Sequence, residues 1–445
     1  EWHRAYDLDF VAILTEKQLQ IDLTFGQKQY KESTINFLMS TYHQRLVELI
    51  NYCCDYKKIE LTPSDLTYNL LPQRELDVIQ KLYQVEDVYP LSPMQEGLFF
   101  HWLLDPESES YFEQKLLTVK GQLDATLVKK ALNELIIRYD VLRTVFAREG
   151  MNRPLQIVLK ARQLNVSFND IRPELERKNK SEVIENYKVE DQRKKFDLSH
   201  DVLMRLIILQ TDADEYEWIW SYHHILMDAW CMGIILKDFQ KLYAKAGGNS
   251  TIALPQPDRY ANYIQWLETR DNAVSKKYWG EYLSTYSKPV TLLEESLSPP
   301  EKGFSIPKEH ITELDRHRVA RLNEIAGKLG VTVNTILQTA WGLLMAKYNN
   351  VNDVVFGAVV SGRPSEVKGV EEMVGLFINT IPVRVKLDEK LPIDSVIKEV
   401  QQKALQSEKH QYQPLYEIQS LNRLGSELFD NIIAFENYPY TSEII

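Results

Sequence analysis

The segment WIWSYHHILMDAW, Trp218 to Trp230, places two adjacent histidines at the end of an aromatic run and an aspartate four residues after the second. If Tyr216–His224 is a strand, side chains alternate across it, so Trp218, Trp220, Tyr222 and His224 share one face and Glu217, Ile219, Ser221 and His223 the other. The two imidazoles then diverge. They cannot chelate one metal ion, and a reaction centre would use one of them. His224 ends the aromatic face, where a neutral imidazole suits a general base or a hydrogen-bond acceptor near neutral pH. Asp228 lies in the turn before the next helix and has two readings. It caps the amides of Trp230 and Cys231, or it pairs with Arg205, a long cation in the apolar candidate strand Leu203–Gln210 that needs a carboxylate. On these residues alone, structural histidines compete with a catalytic His-x-x-x-Asp.

Outward from this segment the pattern alternates between strand and helix. Strands are expected at Phe112–Val119, Thr144–Phe146, Leu155–Leu159 and Leu203–Gln210, and helices at Pro93–Leu104, Ala125–Tyr139, Ser181–Lys195 and Trp230–Lys245. Gly247-Gly248 stops the last of these, and TIALPQPD is the next break. Further helices follow at Tyr260–Leu283, Asp315–Lys328 and Thr335–Lys347, with strands at Asp353–Val360 and Ile378–Val385. Leu127–Phe146 and Ile336–Phe356, each a helix running into an apolar stretch, suggest two lobes built on one plan. At the start of the chain, two alternating stretches, Phe10–Leu14 and Leu19–Phe25, precede a periodic helix over 34–53. Residues 61–82, with two prolines, read as a linker holding one short helix from Pro72.

The bulk numbers narrow the function classes. Fifty-two Lys+Arg against 63 Asp+Glu give a net charge of -11 and a pI near 5.5, the wrong sign for a chain whose main partner is nucleic acid. The mixed KVEDQRKK run (188–195) reads as a solvated helix face. Cys53, Cys54 and Cys231 offer neither a disulfide framework nor a metal knuckle, which fits a reducing cytoplasm. No apolar run approaches the roughly 18 residues of a membrane span. The opening EWHRAYDLDF shows no signal-peptide pattern and no initiator Met, as expected for a piece of a longer chain.

HHILMDAW (His223–Trp230) resembles the HHxxxDG signature of nonribosomal peptide synthetase condensation domains, relatives of chloramphenicol acetyltransferase and other CoA- or carrier-dependent acyltransferases. Other blocks follow in that family's order: YPLSPMQEGLFFH (Tyr89–His101), RYDVLRTVF (Arg138–Phe146), FDLSHDVLMRL (Phe196–Leu206) and YANYIQWL (Tyr260–Leu267). VGLFINTIPVRV (Val374–Val385), HQYQPLYEIQ (His410–Gln419) and ELFDNIIAFENYP (Glu427–Pro439) complete the series. Eight ordered blocks over residues 89–439 are far more specific than the histidine motif alone.

The resemblance implies an α/β sandwich fold, with two acetyltransferase-like lobes (83–258 and 259–445) in a V-shaped pseudo-dimer and the active site at the seam. It implies peptide-bond formation between substrates tethered through phosphopantetheine to an upstream donor and a downstream acceptor carrier domain, beside epimerisation and adenylation neighbours. This domain would bind no cofactor, metal, membrane or nucleic acid. His224 would orient or deprotonate the acceptor amine, while His223, Asp228 and Arg205 hold the motif. Ser92, Gln95, Ala229, Trp230, Ser361 and Asn379 are pocket or tunnel candidates, and Ser361-Gly362-Arg363 would lie in the loop crossing between lobes.

Two departures stand out. Ala229 replaces the signature glycine, and it would be strained if that position needs φ > 0. Tyr139 replaces the usual histidine of the RHExLRT block at a site expected to be structural. Gly247-Gly-Asn-Ser250 imitates a carrier attachment site, but the two prolines that follow deny it a helix. Residues 1–60 resemble the C-terminal tail of an epimerisation domain, and HHILMDAWC with LSPMQEGLFFH is similar to condensation domains that accept a D-configured donor. The N-terminal piece would supply the strand and helix that usually finish a condensation domain. The rival readings are a carrier-docking module without chemistry, suggested by Ala229, and an acyltransferase or epimerase built on the same motif.

Overall fold

The computed structural model describes residues 6–16, 18–55, 60–248, 254–291, 308–388 and 390–437. It divides into two compact units, Glu1–Leu61 and Thr62–Ile445. In the first, β1 (Leu8–Leu14) pairs antiparallel with β2 (Leu19–Phe25), and α1 (Glu32–Asp55) follows. Phe10 meets Tyr42 edge-on at 5.1 Å, which ties hairpin to helix. Ile35 is the one buried residue of α1.

The second unit begins with α2 (Gln73–Leu82), β3 (Val85–Pro90), α3 (Pro93–Leu104), β4 (Phe112–Lys120) and α4 (Ala125–Arg138). It continues through β5 (Thr144–Ala147), β6 (Leu155–Leu159), β7 (Asn165–Asp170), the short α5 (Arg172–Leu175), α6 (Lys180–Gln192), β8 (Met204–Gln210), β9 (Glu215–His223) and α7 (Ala229–Ala246). A four-stranded sheet runs β4-β9-β8-β7, antiparallel except for β7 beside β8. Strand alternation gives β9 two different faces. Trp218, Trp220 and Tyr222 pack with Val128, Leu132 and Leu135 of α4 and Ile235 and Phe239 of α7. Ile219, with Ile207 and Leu209, packs on Val183 and Ile184 of α6. Helices on both faces leave β9 buried over eight of its nine positions. A smaller sheet, β3-β6-β5, lies apart from it.

Beyond α7 come α8 (Tyr260–Glu268), α9 (Asn272–Leu283), α10 (Arg316–Leu329), α11 (Val333–Tyr348), β10 (Asp353–Val360), β11 (Asn379–Lys386), α12 (Ile393–Glu408), α13 (Leu415–Ser420) and β12 (Ile432–Ile433). The sheet β11-β10-β12 is again covered on both faces. Phe356 and Val385 meet Met345 of α11 and Val396 and Val400 of α12, while Val355 and Ile381 meet Trp279 of α9 and Ile418 of α13. The expected α/β sandwich is therefore present. Among the described residues no single helix is long and apolar enough to cross a membrane.

Several elements depart from the sequence reading. The expected helix over Tyr260–Leu283 is two, because Asp271 leaves the helical path and accepts the Ala273 N–H to cap α9. β3, β7, α5, α12, α13 and β12 are additional to the expected set; β7 is a polar edge strand whose pairing with β8, not its composition, makes it a strand. Asn249, Ser250 and the following Thr251–Ala253 lie outside the described residues, as do residues 438–445. The expected linker over 61–82 belongs almost wholly to the second unit: Leu71, Leu76 and Ile79 are buried, and Glu75 accepts from Asn152 Nδ2 at 2.6 Å. Leu76→Ala should accordingly cost about 2–5 kcal/mol of unfolding free energy in a denaturant titration. A linker residue would show no loss.

Candidate active site

β9 delivers the histidines, and the ladder continues one residue past its end: the His224 N–H donates to the Tyr111 carbonyl at 2.8 Å. The two rings occupy different environments. His223 is 4% exposed, and its Nδ1 accepts the Ile225 N–H at 3.1 Å. Burial, with the neighbouring His224, depresses its pKa from 6.5 to about 3, so it is neutral near pH 7. His224 is half-buried, and its Nδ1 has no hydrogen-bond partner among the described residues. That nitrogen is itself buried, so the part of the His224 ring that remains exposed is not the Nδ1.

The segment after His224 is fixed from two directions. Gln95 Nε2 donates to the Ile225 carbonyl at 3.0 Å, and Gln95 is itself held by Gln156, by the Ser92 N–H and by the capping box at the start of α3. On the other side Asp228 faces residues 363–377. Its Oδ1 takes Arg363 Nη2 at 3.3 Å and its Oδ2 the Phe377 N–H at 3.3 Å. Arg363 also donates to the carbonyls of Val370 and Met373 and lies 4.0 Å from the centroid of the Phe377 ring. Cys231, fully buried, donates to Asp228 at 3.2 Å; burial and the adjacent carboxylate raise its pKa far above the ordinary thiol value, so the proton stays.

Close packing lets this loop approach. Gly362 has φ 62°, and a Cβ there would lie 1.8 Å from the Phe377 carbonyl oxygen; one at Gly375 would lie 2.1 Å from the Tyr260 ring. Tyr260 donates to the Leu376 carbonyl at 2.6 Å and stands edge-on to Phe377 at 5.1 Å. Trp230 Nε1 donates to the Glu371 carbonyl at 2.9 Å.

This geometry corrects several expectations. Arg205 does not pair with Asp228. Its register opposite Ser221 turns it to the α6 face, where Nε meets Asp191 Oδ1 at 2.6 Å and the guanidinium stacks 4.2 Å from the Phe196 centroid. Asp228 lies past the end of β9, and it pairs with Arg363. Nor does the Asp228 side chain cap α7: only its carbonyl does, accepting the Cys231 N–H. Ser92, Gln95 and Asn379, expected to line a pocket, are buried structural groups; Asn379 Nδ2 donates to the Gln411 and Gln413 carbonyls. Ser361 does line a cavity of about 450 Å³, with Thr335, Gln338, Gln401 and Gln411. Ala229 is the first residue of α7 and is not among the described non-glycine residues with positive φ, so it is unstrained there. Tyr139 donates to Asp238 at 2.7 Å, beside Arg138 on the same carboxylate. Arg363 carried a signal in the sequence, a lone cation in VVSGRPS, but only contact reveals what it pairs with.

Two outcomes follow. Arg363→Ala should lower stability by about 3–5 kcal/mol in denaturant, because it strands the buried Asp228 carboxylate, and Arg205→Ala should cost a similar amount, because it strands Asp191 instead. The depressed His223 pKa has a definite sign: the unfolded chain binds the extra proton first, so stability is complete above about pH 6.5 and falls as pH drops toward about 3. The slope should reach about 1.4 kcal/mol per pH unit, measured as unfolding free energy against pH, and should flatten in His223→Asn.

Residues 85–444 match the family described as "Condensation domain". The chain is 36% identical over 445 aligned residues to bacitracin synthase 1 of Bacillus licheniformis, covering 99% of this chain and 8% of that protein. It is 42% identical over 364 residues to gramicidin S synthase 2 of Brevibacillus brevis, covering 82% of this chain and 8% of that one. The chain thus spans less than a tenth of the length of either relative. In fold it resembles the starter condensation domain of rhizomide synthetase, with a TM-score of 0.67 at 18% identity over 82% of this chain and 80% of that one. The first condensation domain of the calcium-dependent antibiotic synthetase gives 0.62 at 16% identity, over 79% and 81%. The chain belongs to the condensation-domain family.

Proposed function

We propose that residues 62–445 join a donor acyl or peptidyl thioester to the α-amine of an acceptor aminoacyl thioester, each presented on the phosphopantetheine arm of a carrier domain. The observation that carries this reading is the His224 ring, half-buried where its neighbour His223 is buried, on a segment held by Gln95 and Asp228. The amine nitrogen attacks the donor carbonyl, the C–S bond breaks, the donor arm leaves as a thiol, and the nitrogen gives up one proton. His224 accepts that proton or a hydrogen bond from the amine. A thioester is already activated, so much of the acceleration comes from holding the two ends together, and orientation by His224 matters as much as basicity.

The 83–258 and 259–445 portions are the two lobes in this reading. The site works in the cytoplasm within a longer synthetase, between carrier, epimerisation and adenylation neighbours. A D-configured donor is supported by the resemblance of HHILMDAWC and of the N-terminal unit, and by a match to bacitracin synthase 1 that includes that unit while the gramicidin S synthase 2 match covers 82% of the chain. The unstrained Ala229 removes the hint of a non-catalytic docking module.

The test is intact-mass analysis of an aminoacyl-loaded acceptor carrier after incubation with this protein and a donor carrier bearing a D- or L-terminal peptide. Transfer from the D donor that falls at least about a hundredfold in His224→Ala is expected. Equal transfer in the variant would remove the role of His224, and preference for the L donor would overturn the subclass.

A further inference from the structure

His101 closes the first motif block, yet the contacts that hold the histidine segment through Gln95 and Asp228 leave it without a role. It projects from the last turn of α3 toward Tyr111: His101 Nδ1 and the Tyr111 hydroxyl are 2.6 Å apart, and the rings stack at 5.8 Å. Tyr111 is an unusual residue. Its φ is 65°, one of three non-glycine positive values among the described residues, and a bulky side chain in that region is strained. Strain of this kind persists only where surrounding contacts hold it. Half-burial raises the Tyr111 pKa, so the hydroxyl keeps its proton. The Tyr111 ring also stands 6.4 Å from that of His223.

The strained residue matters because of where its carbonyl points. It accepts the backbone N–H of His224. The same helix that holds Tyr111 through His101 holds the next residue through Gln95, which donates to the Ile225 carbonyl. Six residues along α3 are about 9 Å, so one rigid element grips the chain on both sides of the His224 ring.

We propose that His101 and Tyr111 form a clamp that positions His224, with α3 as its rigid arm. Neither residue touches substrate in this account; both are positioning residues, and the role rests on the reading of His224 as the group that meets the amine. The first motif block thereby acts on the histidine motif from a distance of more than 120 residues in sequence.

The experiment uses the full chain with Tyr111→Phe, His101→Leu and the double variant. Each keeps bulk at its position and removes the hydrogen bond. Two quantities are read: deuterium exchange of the peptide covering Tyr222–Leu226, and single-turnover transfer between loaded carriers. The expected result is faster exchange at that peptide alone. Transfer should slow about ten- to a hundredfold with unchanged carrier affinity, and the double variant should be no worse than either single one. Faster exchange with unchanged transfer would overturn the positioning role, and unchanged exchange would overturn the clamp itself. A parent protein that exchanges normally but transfers nothing would overturn the reading of His224 and the positioning role with it, while the exchange data still decide whether the clamp exists.

Discussion

The buried pair between Asp228 and Arg363 is the interaction on which the site depends. Their side chains are 2% and 6% exposed, so both charges are removed from water. Such a pair is tolerable only when the remaining valences are filled. Here they are: the second carboxylate oxygen takes the Phe377 N–H, the Cys231 thiol donates to the first, and the guanidinium reaches two main-chain carbonyls and the Phe377 ring. The pair thus joins the turn after the histidines to a loop 135 residues later. Breaking either half leaves an uncompensated charge, while the intact pair adds little net energy. Its main effect is to fix the register between the motif and the loop.

Around that pair, the four-stranded sheet supplies rigidity. β9 is buried on both sides, by tryptophans against α4 and α7 and by Ile219 against α6. A strand so enclosed cannot slip by one residue without moving its aromatic face onto the polar contacts of α6. The adjacent histidines inherit this. His223 is held neutral in the interior as an acceptor, and His224, one residue further, is the ring that stays partly exposed. Two identical side chains have opposite uses because of their place on one strand.

Much of this was legible beforehand. The alternation in Tyr216–His224 located β9 within a residue of its observed ends, and the long apolar-periodic stretches located α3, α4, α7 and α11. Where local pattern is weak, neighbours decide the element. β7 is polar, and only its parallel neighbour β8 makes it a strand. α8 and α9 look like one helix until Asp271 caps the second. The partner of Asp228 is not legible locally: Arg205 lies only 23 residues away, yet strand register places it on the other face with Asp191.

The sequence by itself determined the fold class, the family and the histidine that differs from its neighbour, because periodicity and an ordered series of motif blocks are properties of the chain alone. Only the tertiary structure decided which groups pair. It sent Arg363 to Asp228, committed Gln95 and Asn379 to main-chain carbonyls, showed Ala229 unstrained, and set the Tyr111 carbonyl against His224. The physical reason is that an ion pair or hydrogen bond acts over about 3 Å, and which groups come within that distance depends on register and packing between segments far apart in sequence.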